Sequence, residues 1–116
     1  MSEVPVPFVR HLADAEPYDQ EEPGIAAFHT MMHEDEIPGL SAGHVALEGP
    51  IRKTPAAHAD WHQAYFIYAG SGTIHLGSKT YPVEAPAVVA IPRNTHHAVE
   101  VGADQSLRYL YINQWR

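Results

Sequence analysis

The apolar positions of this chain recur with a period of two, not of 3.6. Short alternating runs are Ile25–His33, Leu40–Glu48, Trp61–Ala69, Thr73–Leu76, Thr80–Val83, Ala87–Ile91, His96–Val101 and Leu107–Asn113. Successive side chains on a strand point to opposite faces, so each run reads as a strand. Pro38-Gly39, Gly49-Pro50, Gly70-Ser71-Gly72, Gly77-Ser78, Pro86, Pro92 to Asn94 and Gly102 to Asp104 punctuate them. Gly70 and Gly72 read as turn glycines. Many short strands with turn signals between them predict an all-β sandwich or barrel. Residues 1–24 are rich in Pro and acids and read as an irregular arm, with one short strand at Pro7–Val9; residues 25–116 form the barrel domain.

Alternation also assigns faces. In Trp61–Ala69, Gln63, Tyr65 and Ile67 share one side; His62, Ala64, Phe66 and Tyr68 share the other. Both sides are apolar, so one should line a barrel and the other should lie under a second sheet or subunit. The doublet His96-His97 must split, with His97 joining Val99 and Val101, and His96 facing outward.

Composition then narrows the function. One domain is expected from 116 residues. The formal charge is -7 with seven Lys and Arg, which gives no basic stripe for phosphates or an acidic membrane. No apolar run reaches the roughly 20 residues of a membrane helix. With no basic, apolar leader visible and no cysteine, the expected location is the cytoplasm, without disulfides or thiolate zinc sites. The unusual figure is nine His, the side chain that most often ligates metals as a neutral donor.

Two segments carry a resemblance. HADWHQAYFIYAGSGTIHLG (58–77) resembles the first cupin motif, G-x5-HxH-x3,4-E-x6-G, and YPVEAPAVVAIPRNTHHAVEV (81–101) resembles the second, G-x5-PxG-x2-H-x3-N. The chain is thereby identified as a small single-domain cupin, with a double-stranded β-helix (jelly-roll) barrel as the implied fold. Anchored on Gly70, the motif's Glu falls on Gln63. The longer spacing puts the second His of HxH on His58 and leaves Ala56 at the first. The shorter spacing puts Ala57 and Ala59 there and turns His58 away from the pocket. In the second motif Pro92 matches, Asn94 replaces Gly (a residue that also tolerates positive φ), His97 takes the His, and Val101 replaces the Asn.

The resemblance implies a divalent transition metal (Zn, Mn, Fe or Ni) held by His58, Gln63 and His97. His62 could be a fourth ligand if the strand start is bulged; His44 is another candidate. Gln in place of Glu leaves the ion its full 2+ charge and favours Lewis-acid chemistry of lyase or isomerase type on a small oxygen-rich molecule. Dioxygenase chemistry is a further option. Tyr65, Tyr109 and Tyr111 are candidate proton donors or orienters, and Trp61 either closes the pocket mouth or packs a dimer. DWHQAYFIYAGSGT and IPRNTHHAV also resemble the ligand-binding cupin of arabinose-type transcriptional regulators, which implies a metal-free binding module, although no helix-turn-helix follows. Enzyme, binding module and structural accessory all stay open. Family likeness and the two-sided strand predict a homodimer. His29 and His33 read as exposed histidines sharing one strand face, and HTMMHE lacks the helix and the Glu position of a zinc protease motif.

Overall fold

The computed structural model describes residues 5–17, 25–52 and 55–115. They form a single 3-10 turn at Leu12–Asp14 and nine strands: β1 Glu16–Pro17, β2 Ile25–Ile37, β3 Leu40–Glu48, β4 Ile51–Arg52, β5 Trp61–Leu76, β6 Lys79–Glu84, β7 Ala87–Ile91, β8 His97–Val101 and β9 Ser106–Trp115. All ladders are antiparallel. One sheet runs β1-β2-β3-β9-β5-β7; the other runs β6-β5-β8-β4. The expected strand at Pro7–Val9 is not formed; Pro5 and Pro7 supply no backbone donors for a ladder. Arg10 instead ties this segment down, with its guanidinium donating to the Met31 carbonyl and to both carboxylate oxygens of Glu36 on β2.

β5 departs most from the sequence reading. Two strands with a Gly70-Ser71-Gly72 turn were expected, whereas one continuous strand of 16 residues is observed. Its first part pairs with β9 and β7, ending at the Gly70–Leu107 pair, and from Ser71 onward it pairs with β6 and β8. A bulge between Ile67 and Ala69 and a φ of +87° at Gly70 bend the strand where it passes from one sheet to the other. The glycine therefore serves the bend of a strand instead of ending it. β2 also runs four residues further than expected, to Ile37, closing on β3 through Gly39 at φ +92°.

The faces follow the alternation. Leu47, Ile67, Ile74, Leu107, Val45, Val99 and Val101 are fully buried between the sheets. Burying this layer favours folding by roughly 25 cal/mol per Å2 of apolar area. It fills the end of the barrel near Gly70. The same inward-facing rows become polar and aromatic toward the start of β5: Ile67 opposite Tyr109, Tyr65 opposite Tyr111, Gln63 opposite Asn113, Trp61 opposite Trp115. The fold thus has a closed apolar end and an end lined with hydrogen-bonding groups.

Candidate metal and ligand site

His97 opens β8 on the inward face, with Val99 and Val101, and is buried. Its backbone makes a two-way bridge with Ala56, which anchors the segment before β5 and sets His58 beside it. Asn94, at φ +67°, makes the turn before β8, and its N–H donates to the His58 carbonyl at 2.7 Å. The substitution of Asn for Gly is thereby accommodated in the left-handed region that the motif needs.

The two imidazole centroids lie 5.1 Å apart at 54°. A metal–nitrogen bond of about 2.0–2.1 Å places rings that share one ion with centroids roughly 5 Å apart. The Nδ1 of His97 lies 3.0 Å from the Thr95 carbonyl. As the donor of that bond, Nδ1–H directs the lone pair to Nε2. Burial, and next the neighbouring His97, holds the His58 imidazole below its ordinary pKa, so at neutral pH it keeps a lone pair. The ring positions correspond to the longer spacing of the first motif.

Gln63 lies on the same inner face of β5. Its Nε2 donates to Asn113 Oδ1 at 2.8 Å, and Asn113 Nδ2 donates to Ser41 Oγ at 3.1 Å. This relay uses the amide nitrogen and leaves Oε1 buried with no partner among the described residues. Asn113 and Ser41 were missed in the sequence; the signal was one polar residue in the inward stripe Tyr109, Tyr111, Asn113, Trp115. Tyr65 sits one row deeper, edge-on to His97 at 6.3 Å and against Tyr109 at 4.6 Å. Burial, helped by Tyr111, drives the Tyr65 phenol far above its usual pKa, so it acts as a neutral hydrogen-bonding group. Tyr111 fills the space over Gly43, where a Cβ would overlap its ring.

Two ligand candidates fall elsewhere. His62 is exposed on the outer face, and its Nδ1 accepts the Arg93 N–H at 3.1 Å. The bulge that would have turned it inward occurs at Ile67/Ala69 instead. His44 is buried on the outer face, where its Nε2 meets the Tyr68 hydroxyl at 2.5 Å. His29 pairs with His44 across β2 and β3. A register shift between Thr30 and Met32 separates it from His33, so the two do not share a face. Both are half-buried, and His33 lies 3.4 Å from Glu16. The described residues also line an apolar cleft of about 260 Å3 between β6 and β7, bounded by Ile74, Leu76, Tyr81, Val83, Val88 and Val89. Its lining holds no imidazole or carboxylate.

The sequence matches the family model of the cupin domain over residues 45–113. The chain is a cupin. The matched span contains His58, Gln63, His97 and Asn113. No curated protein matches it. Solved structures with the same fold include KdgF from Halomonas sp., with a TM-score of 0.77, 21% identity and coverage of 94% of this chain and 95% of that one. The polyketide cyclase RemF from Streptomyces resistomycificus gives 0.75 and 19%, covering 98% and 79%. A predicted oxalate decarboxylase from Thermotoga maritima gives 0.81 and 16%, covering 94% and 100%. At these identities the likeness concerns the fold.

Among the described residues no three His, Cys, Asp or Glu side chains gather as a metal cluster. The groups that would hold an ion are the His58 and His97 imidazoles and the Gln63 amide. The ring spacing, the tautomer fixed by Thr95 and the unpartnered Oε1 of Gln63 all suit a first-row divalent ion. Ala56 stands where the motif's first His belongs, which leaves more positions for water or substrate.

Proposed function

We propose that this cupin holds one divalent transition metal through His58, His97 and Gln63 and uses it in lyase or isomerase chemistry on a small oxygen-rich molecule. The observation that supports this most is the approach of the His58 and His97 rings to a spacing suited to a shared ion. With only neutral protein ligands, a bound ion would keep its 2+ charge and supply Lewis acidity to a carbonyl, carboxylate or alkoxide oxygen.

The protein's own groups divide the remaining work. Thr95 orients His97, and the Ser41–Asn113 pair fixes the Gln63 amide. Tyr65 offers a hydroxyl that burial keeps protonated. The apolar layer around Leu107 and Ile67 closes one end of the barrel to water. Elemental analysis of protein prepared without chelator should give about one transition metal per chain. A metal-free preparation that also fails to take up Zn or Mn would leave a ligand-binding barrel, as in the arabinose-type regulators.

A second copy of the chain belongs to this reading. The outer face of β5, β7 and β9 carries Phe66, Tyr68 and Val88, which are 44%, 50% and 62% exposed, beside Leu110 and Ile112. None of these five residues is charged, so two copies of a chain of charge -7 can meet there on uncharged side chains. Sedimentation should give twice 12.8 kDa at micromolar concentration, and Phe66→Asp should return the single chain. A wild type that sediments as one chain overturns the homodimer.

A further inference from the structure

The geometry points to a recognition lip made by Trp61 and Trp115, and we propose that it selects a small planar conjugated acid, whose ring packs on indole and whose carboxylate accepts from indole N–H. This rests on the reading of the barrel as a small-molecule site and deepens it by naming a ligand class.

The chain has two tryptophans, and the fold sets them directly opposite each other on β5 and β9. Their ring centroids are 4.2 Å apart at 47°. On the far side of Trp61 the His58 imidazole lies 4.4 Å away at 18°, nearly parallel. An imidazole suited to holding the ion is thus one face of an aromatic stack that ends in Trp115. A flat ring that enters this end meets indole faces, on which conjugated rings pack better than puckered ones because their quadrupoles align in offset geometries.

The polar atoms of the same residues carry the second half of the argument. The Nε1–H groups of both tryptophans are buried with no hydrogen-bond partner among the described residues. Buried donors are almost always satisfied in native proteins, since an unmade bond leaves the desolvation penalty uncompensated. Two orphans in one pair of touching rings mark donors held for an acceptor from outside the chain. In the closed pair they are shielded from water, so the acceptor must arrive with a group that parts the indoles, and a flat ring does so at least loss of contact. One row deeper, Gln63 Oε1 is also unpartnered, and the neighbouring groups are neutral amide, hydroxyl and phenol. Among the described residues no Asp or Glu is bonded to the imidazoles, indoles or amides of this end; Asp60, beside Trp61, faces solvent. An anion therefore meets donors without an opposing carboxylate inside the lip.

Because both tryptophans lie at the lip, intrinsic fluorescence reads its occupancy without any turnover. The full chain, chelator-treated and zinc-reloaded, is titrated with benzoate, cyclohexanecarboxylate and benzyl alcohol. Benzoate should change the emission saturably and bind at least tenfold tighter than either comparison compound. Trp115→Phe, which keeps a ring and removes the N–H, should weaken benzoate about five- to tenfold, with Trp61 still reporting; Trp115→Leu should weaken it further. Equal or tighter binding of cyclohexanecarboxylate, wild-type affinity in Trp115→Phe, or no saturable change with benzoate overturns the lip. Benzoate binding to protein that takes up no zinc upholds the lip while ending the metal proposal. Zinc uptake without benzoate binding does the reverse.

Discussion

His97→Ala is expected to lower the affinity for a transition metal by at least roughly 100-fold, since even removing a group that merely orients a metal ligand costs 10- to 100-fold. His58→Ala should do the same, because the two rings approach one another as a pair and neither has a substitute among the described histidines. His62→Ala supplies the internal control. It is exposed and engaged with the Arg93 backbone, so its removal should leave metal content unchanged. Titration calorimetry on chelator-treated protein measures all three. The His97 change leaves the β8 backbone bridge to Ala56 in place, so loss of metal in a folded variant reports on the ligand. Full metal retention in both His97→Ala and His58→Ala would remove the reactive centre from this barrel.

The replacement of Glu by Gln at position 63 gives that experiment a chemical consequence. A carboxylate would neutralise part of the ion's charge and compete for the acceptor role. The Gln63 amide is neutral, and its nitrogen is occupied by Asn113, so it presents oxygen alone. A 2+ ion held there would be matched by an anionic substrate, in keeping with the proposed entry of an anionic ligand past Trp61 and Trp115. The polar relay through Ser41 costs side-chain freedom in the barrel interior, and the return is one fixed amide orientation.

Strand positions were legible in the sequence wherever two-residue alternation met a turn residue. β3 and β7 have the expected bounds, and His96-His97 splits as alternation requires. The continuity of β5 was not legible, because Gly-Ser-Gly encodes a turn and a bend equally well; the choice is made by β6 and β8 waiting to pair beyond Gly70. His58 was ambiguous for a related reason. It lies outside any strand, so period-two alternation assigns it no face, and its direction depends on the Ala56–His97 bridge and the Asn94 turn, contacts made with residues far along the chain. Asn113 escaped notice because its role depends on being opposite Gln63, and strand order is not written in either strand. His44 and His62 alternate correctly, yet alternation alone does not say which face is the pocket.

Gly70→Ala is expected to destabilise the protein by roughly 2–5 kcal/mol and to lower Tm by ten degrees or more, the sum of two separable costs. At φ +87° any L side chain costs about 1–2 kcal/mol. A Cβ here would also sit 2.0 Å from the Ser106 carbonyl oxygen, a backbone atom with no rotamer to move to, so β5 and β9 must separate where they are closest. Gly77→Ala isolates the first cost. Gly77 has φ +60° but nothing within 4 Å of the added carbon, so it should lose only the conformational part, and the excess at Gly70 measures the close approach. The consequence reaches the site. Gly70 is the joint at which β5 leaves the sheet carrying Gln63 and Asn113 and enters the one carrying His97. Shifting that joint moves the amide and the imidazole relative to each other. A folded Gly70→Ala variant should therefore bind metal more weakly than Gly77→Ala, even though Gly77 is close to His97 in the fold, its N–H donating to the His96 carbonyl at 2.8 Å. Thermal melts by circular dichroism and the same calorimetric titration decide it. Equal stability of the two variants would mean that β5 and β9 tolerate separation, and that the joint does not govern how the two sheets present their ligands.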